Sequence, residues 1–178
     1  MNPEEIDRLL RKYRKRPLIA AGDLPNNFVE RSAELPIRLL PHRGPMLLVD
    51  ELVGVNPEEG IAYGRRHIHS DHLGLDGHFP NYPVLPGTIQ IEILGQLALC
   101  MYRFLDQDTV DIDEDLGELN LRATKILGAH FLSEIRPGDD VHLLAKKLHV
   151  DEFMGVCIAQ ALVGPTVCCV MAGEVVFL

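Results

Sequence analysis

A histidine and a glutamate fourteen residues apart are the residues of this sequence best suited to proton transfer. The stretch GHFPNYPVLPGTIQIEILGQ, residues 77–96, places His78 ahead of a proline-rich connector and Glu92 in the apolar segment after it. A neutral imidazole accepts a proton, and a carboxyl group among apolar side chains favours its neutral form and can donate one. Such a pair could remove a proton next to a carbonyl and protonate a departing hydroxyl group. A structural role also fits each residue alone, with His78 in a turn and Glu92 bonded to Gln96.

Three prolines make the connector between these two residues stiff. Pro80, Pro83 and Pro86 fix their own φ and bias the preceding residues toward extended backbone, so the connector cannot coil into a helix. The pair Pro86-Gly87 then opens a helix, whose first N–H groups lack intrahelical partners. Because Gly87 has no side chain to keep a ligand away, a carbonyl oxygen could approach these N–H groups and be polarised by them.

The rest of the sequence predicts an α+β fold, in which a curved antiparallel sheet wraps a long central helix. Two strand-like runs flank the turn NPEEG, the long helix covers about residues 88–105, and four more strand-like runs follow. The helix is apolar on nearly every face and needs cover on nearly every face, which a curved sheet supplies. We expect residues 1–34 to form an N-terminal amphipathic arm and linker, and residues 35–178 to form a single domain.

Composition narrows the class of protein. There are 17 basic and 26 acidic residues, a formal charge of -9, which argues against nucleic acid as a partner. The four cysteines lie in apolar segments without a C-x-x-C pair, which indicates buried thiols in a reducing cytoplasm. The N-terminus shows no secretory signal. Glu92 and Arg103 interrupt the longest apolar run, so we expect no transmembrane segment.

Two stretches contain residue types that bind metals, but in each of them part of the metal-site pattern is missing. The sequence HIHSDH places His67 and His69 on one strand face with Asp71 and His72 nearby, but the second half of such a metal site is not evident. The acidic segment 106–118 has aspartates at calcium-loop spacing, yet Leu116 stands where the sharp turn needs glycine. We interpret this segment as a solvated loop and expect no metal.

The motifs HFPNYPVLPG and LPHRGPMLLVD, with Glu92 at its spacing from His78, resemble the FabZ-type 3-hydroxyacyl-acyl-carrier-protein dehydratases of the FabA/FabZ thioester dehydratase family. The resemblance covers about residues 35–178 and implies the hotdog fold. It implies that His78 and Glu92 are catalytic, that the Gly87 backbone amide polarises the carbonyl and that Gln96 supports Glu92. The implied reaction converts (3R)-3-hydroxyacyl thioesters to trans-2-enoyl thioesters in fatty acid or related lipid or polyketide biosynthesis.

The resemblance also implies partners. The substrate would arrive on the phosphopantetheine of an acyl carrier protein, with no further cofactor. The family's assembly is a homodimer, often a trimer of dimers, in which the histidine of one subunit meets the glutamate of the other. Because the carrier is acidic, basic residues are candidates for its docking site: Arg65, Arg66, Arg122, Lys125, Arg136, Lys146 and Lys147.

Two other functions remain open for a hotdog domain. A hotdog acyl thioesterase would use one helix carboxylate to activate water, without needing His78 or its connector. A non-catalytic acyl-carrier or lipid-binding module would need neither His78 nor Glu92.

Overall fold

The structure is a computed structural model that describes residues 1–27, 34–72, 74–75, 77–107, 110–111 and 120–178. Most of the acidic segment 106–118 and part of the expected linker lie outside the described residues, so the interpretation of that segment as a solvated loop stays a prediction.

The described residues form three α-helices and six β-strands. The helices are α1 (Pro3–Lys12), α2 (Glu34–Leu39) and α3 (Gly87–Gln107), and the strands are β1 (Glu51–Asn56), β2 (Ile61–His67), β3 (Leu121–Phe131), β4 (Asp140–Val150), β5 (Met154–Val163) and β6 (Thr166–Phe177). The strands pair antiparallel in one sheet, in the order β1-β2-β4-β5-β6-β3. Among these strands, β3 lies at one edge of the sheet and β1 at the other.

The long helix α3 forms the centre of the main hydrophobic core. Its residues Leu94, Leu97 and Met101 are almost fully buried and belong to the same cluster as Leu143 of β4 and Met171 of β6. Successive side chains of a strand point to opposite faces, so the sheet supplies every second residue to this core. The predicted order of two strands, one long helix and four strands is confirmed, as is the sheet wrapped around the helix.

The N-terminal helix α1 covers the other face of the sheet. It begins with a capping box, in which the Asn2 side chain accepts a hydrogen bond from the Glu5 N–H and the Glu5 carboxylate accepts one from the Asn2 N–H. Its apolar residues Ile6 and Leu10 are buried in a second cluster that includes Ile158 of β5. The arm therefore packs on the body of the protein and shields an apolar sheet surface from water.

Gln160 joins the arm to the outer face of β5. Its side chain is fully buried, and its Oε1 accepts a hydrogen bond of 2.7 Å from the Leu18 N–H. Its Nε2 donates to the carbonyl oxygens of Tyr13 at 2.7 Å and Arg16 at 2.9 Å. The Gln160 side chain thus provides hydrogen-bond partners for three backbone groups in the segment after α1. Because this side chain is fully buried, water does not compete for these hydrogen bonds.

The substitution Gln160→Leu is expected to lower the free energy of unfolding by about 2 kcal/mol, because a buried backbone group without a partner costs roughly 1–3 kcal/mol. Urea unfolding measures this as a lower midpoint with little change in the m-value. Thr166→Val, which removes an exposed hydroxyl group from β6, is the control. A Gln160→Leu midpoint equal to that of the wild type would show that the arm is not held by this amide.

All four cysteines are free and buried, as the sequence predicts. Burial raises the pKa of Cys100 to about 12, that of Cys157 to about 11 and that of Cys169 to about 12. The thiols are therefore protonated near neutral pH, and only the thiolate reacts as a nucleophile.

Native protein at pH 8 is expected to react with Ellman's reagent only on the timescale of unfolding, while denatured protein exposes all four thiols at once. The raised pKa values also make the free energy of unfolding depend on pH. The unfolded chain loses thiol protons above about pH 9 while the folded chain keeps them, so unfolding becomes easier as the pH rises from there. Fast labelling of one thiol in native protein would contradict the described burial.

Candidate active site

The connector holds His78 in one orientation. The His78 Nδ1 lies 2.8 Å from the carbonyl oxygen of Val84. A carbonyl only accepts hydrogen bonds, so the neutral ring carries its proton on Nδ1 and leaves the lone pair of Nε2 available as a base. The His78 ring stacks on that of Phe79 with centroids 4.2 Å apart, and the peptide bond between these two residues is cis.

The loop between β3 and β4 anchors the connector. The Leu85 N–H donates to the Ile135 carbonyl oxygen at 2.8 Å. The Tyr82 hydroxyl donates to the Glu134 carboxylate at 3.0 Å, and the Arg136 guanidinium bonds to both groups while lying over the Tyr82 ring. Hydrogen bonds from Arg136 and then Tyr82 hold the pKa of Glu134 below its usual range, so this carboxylate stays charged.

The helix α3 begins directly after the connector. The Ile89 and Gln90 N–H groups both donate to the Pro86 carbonyl oxygen, at 3.0 and 3.1 Å, so the Gly87 N–H lies before the first hydrogen bonds of the helix. A Cβ atom at position 87 would lie 2.7–3.0 Å from ring atoms of Phe131. The Phe131 side chain of β3 therefore packs directly on the Gly87 α-carbon, and a larger residue at this position would require the Phe131 ring to move.

Glu92 lies in the second turn of α3, with Gln96 one turn later. Gln96 is almost fully buried, and its Nε2 donates to Glu92 Oε1 at 2.8 Å and to the Met46 carbonyl oxygen at 2.8 Å. Its Oε1 accepts from the Leu48 N–H at 2.8 Å. This amide fixes the Glu92 side chain and ties the segment before β1 to the central helix. In the single chain the Glu92 side chain keeps 39% of its surface exposed, so the apolar burial expected from the sequence is incomplete.

His42 also faces Glu92, a contact that the sequence did not predict. Its Nε2 lies 3.5 Å from Glu92 Oε1, and 23% of its side chain is exposed. The residue belongs to the motif LPHRGPMLLVD, but it lies fifty residues from Glu92 in the sequence. No local spacing signal relates a loop residue to a helix residue at that separation; only the fold brings them together.

Glu92, Gln96 and His42 line one half-open cavity of about 620 Å³ between α3 and the strands β3 and β6. Its apolar wall includes Ile91 and Leu99 of α3. His78 and Gly87 are not among the residues that line this cavity, so it contains Glu92 without His78. The size and the apolar wall suit an acyl chain.

The side chains of the histidine-rich stretch HIHSDH do not form a metal site. His67 pairs with Asp140 at 2.7 Å, and its ring contacts that of His69 with centroids 4.6 Å apart. Across the described part of the chain, no three side chains of His, Cys, Asp or Glu are grouped so that they could hold a metal ion. Nor does any helix there combine the length and the apolar character that a membrane crossing requires.

An antiparallel sheet wrapped around a long helix is the architecture of the hotdog fold. A solved structure of this fold, the dehydratase heterocomplex ApeI:P from Xenorhabdus doucetiae, is similar with a TM-score of 0.62 over 80% of this chain and 90% of that one. Its sequence identity is 17%, so this similarity concerns the fold alone.

Residues 40–171 match the FabA-like domain, and the chain belongs to this family. Two curated relatives are both named 3-hydroxyacyl-acyl-carrier-protein dehydratase FabZ. The protein from Petrotoga mobilis is 31% identical over 129 residues, which cover 70% of this chain and 84% of the relative. The protein from Bacillus cereus is 34% identical over 133 residues, which cover 74% and 85% of the two chains. The stretch from His42 to Gln96 lies within the matched residues.

Proposed function

We propose that this protein is a 3-hydroxyacyl-acyl-carrier-protein dehydratase, which converts (3R)-3-hydroxyacyl thioesters to trans-2-enoyl thioesters in fatty acid or related lipid biosynthesis. The main support is its membership in the FabA-like family together with an oriented histidine, His78, and a carboxylate, Glu92, at the two motif positions. The FabZ relatives carry the name of this activity. In this proposal residues 35–178 are the catalytic domain and residues 1–34 are an accessory arm.

The reaction begins at the carbonyl of the thioester. The Gly87 N–H at the start of α3 donates to this oxygen, which makes the C2 proton more acidic. Nε2 of His78 removes that proton, while Glu92 donates its proton to the departing C3 hydroxyl group. The C3–O bond breaks as the C2–C3 double bond forms, and the hydroxyl leaves as water. His78 then holds one proton and Glu92 lacks one, so a proton transfer through solvent restores both groups.

The complete site is proposed to form in a homodimer. In the single chain Glu92 lines the cavity and His78 does not. The edge strand β3 has exposed apolar side chains at Ile126 and Phe131, and its outer backbone edge faces no other described strand. A second copy pairing there would cover these side chains and bring its own His78 toward the cavity. Three such dimers would form the larger assembly that the family resemblance implies.

The mouth of the cavity is the proposed docking site for the acidic carrier. Of the candidates from the sequence, Arg122 and Lys125 line the cavity. Three further basic residues also line the cavity: Arg38, Arg43 and Arg103. Basic lining residues therefore outnumber the two lining carboxylates. The other candidates include several with acidic neighbours: Arg65 with Glu51, Arg66 with Asp50, Arg136 with Glu134 and Lys146 with Glu59. A positive rim on a protein of charge -9 favours the phosphate of phosphopantetheine and the acidic carrier behind it.

No metal or further cofactor is needed for this chemistry, because the thioester itself activates the C2 proton. The reduced, buried cysteines support a cytoplasmic location.

The test is turnover of a (3R)-3-hydroxybutyryl thioester by the wild-type protein, followed as enoyl absorbance in both directions while free thiol is recorded in parallel. Enoyl formation and its reversal without thiol release support the dehydratase. Thiol release without an enoyl product would identify a thioesterase and overturn the proposal. Binding of the acyl chain with neither product would identify a non-catalytic module.

A further inference from the structure

We propose that His42 is a positioning residue for Glu92, which fixes the carboxyl oxygen that donates the proton. This inference rests on the proposed dehydratase function. It concerns a residue of the same chain as Glu92 and is separate from the role of His78.

Hydrogen bonds hold the loop that carries His42. The Arg43 guanidinium donates to the carbonyl oxygens of Leu40 at 2.6 Å and of His42 itself at 2.7 Å, which closes the turn around the histidine. Met46 and Leu48 follow a few residues after His42, and their backbone groups form hydrogen bonds with the Gln96 side chain of α3. The loop is thus fastened to the same helix that carries Glu92, so the two side chains keep a fixed relation.

The surroundings of the ring select one tautomer of His42. Its Nδ1 is buried and has no hydrogen-bond partner among the described residues. A proton on Nδ1 would be a buried donor without an acceptor, which is rarer in proteins than a buried acceptor without a donor. The neutral ring therefore carries its proton on Nε2, the atom that faces Glu92 at 3.5 Å. That distance is long for a hydrogen bond, and a small rotation of either side chain would shorten it.

Both neighbours contact the same oxygen of Glu92. Gln96 Nε2 donates to Oε1 at 2.8 Å, and His42 Nε2 faces Oε1 as well. After a small rotation the His42 N–H also reaches Oε1. An oxygen with two N–H donors is a poor site for the acidic proton, so the proton donated in catalysis is the one on Oε2. Once Oε2 has given its proton to the departing hydroxyl, the two donors stabilise the negative charge on the carboxylate. Dehydration and its reversal therefore use one fixed oxygen.

The experiment compares His42→Leu with His42→Gln in hydration and dehydration of the butyryl thioester pair. Leucine removes the donor, and kcat is expected to fall about tenfold with little change in KM, since one hydrogen bond that stabilises the charged form is worth roughly that factor. Glutamine places an amide N–H where the imidazole Nε2–H was, and most of the rate should return. His149→Leu, at an exposed histidine beside Asp151, is the control and should leave kcat unchanged.

A second readout does not depend on turnover. Nitrogen-15 NMR of histidine side chains should show His42 as the Nε2–H tautomer, with a signal that shifts in Glu92→Leu but not in the control. A His42→Leu enzyme with wild-type kcat, or a His42→Gln enzyme as slow as His42→Leu, overturns the proposal. So does a His42 signal that is indifferent to Glu92. If the wild-type protein forms no enoyl product while the NMR contact is present, the dehydratase function fails and the contact between the two residues stands.

Discussion

Replacing His78 by alanine is expected to lower the rate of enoyl formation by about 10²–10⁴, the usual contribution of one positioned proton-transfer group. The substitution removes the Nε2 base on which the proposed removal of the C2 proton depends. The Nδ1 bond to Val84 is lost as well, so the connector also loses one of its anchors. The measurement is kcat for dehydration of the hydroxybutyryl thioester.

Glu92→Gln is expected to cause a loss of similar size for a different reason. The amide has nearly the shape of the carboxyl group and can still bond to Gln96, but it cannot donate an acidic proton to a departing hydroxyl group. Each variant should melt close to the wild-type temperature, which separates loss of chemistry from loss of folding. His69→Ala, at an exposed histidine outside the cavity, is the matched control. A His78→Ala enzyme that keeps most of its activity would remove His78 from the mechanism.

The fold was predictable from the sequence because its strongest signals are local. The helix α3 starts where Pro86-Gly87 ends the stiff connector, and its nearly continuous apolar character predicted a helix that needs cover on most sides. The observed element begins one residue before the predicted bounds and ends two residues after them. Short apolar runs bounded by turn residues located the strands in the same way. The amphipathic arm expected within residues 1–34 contains a helix that is also locally encoded, since Asn2 caps it and Pro3 is its first residue.

The site was less predictable because its contacts join distant parts of the chain. His42 approaches Glu92 only because Gln96 fastens the loop before β1 to α3, and the sequence contains no periodic signal for such a contact. The family resemblance suggested basic residues as docking candidates, but the sequence could not show which of them have acidic neighbours. The structure shows that Arg66 faces Asp50, while Arg122 lines the cavity. The burial of Glu92 expected from the sequence is incomplete in the single chain, where 39% of its side chain is exposed.

Mixed dimers of His78→Ala and Glu92→Gln subunits are expected to recover about half of the activity of a wild-type dimer, because one of the two shared sites then contains both intact residues. The two variants are produced together with different affinity tags, and the mixed species is isolated by sequential purification on both tags. Each variant dimer alone should be nearly inactive. The rescue comes from pairing His78 of the Glu92→Gln subunit with Glu92 of the His78→Ala subunit.

The matched control is a mixed dimer of a His78→Ala subunit with a His78→Ala, Glu92→Gln double-variant subunit, which contains no complete site in any arrangement. It should remain inactive. If the site forms within one chain, the first mixed dimer is inactive too, since each of its subunits lacks one of the two residues. That result would require a rearrangement that brings His78 to the cavity of its own chain, where it is absent from the lining residues. Recovered activity would instead support the pairing of two subunits along β3. That pairing would cover the exposed apolar side chains of this strand and complete the half-open cavity beside it.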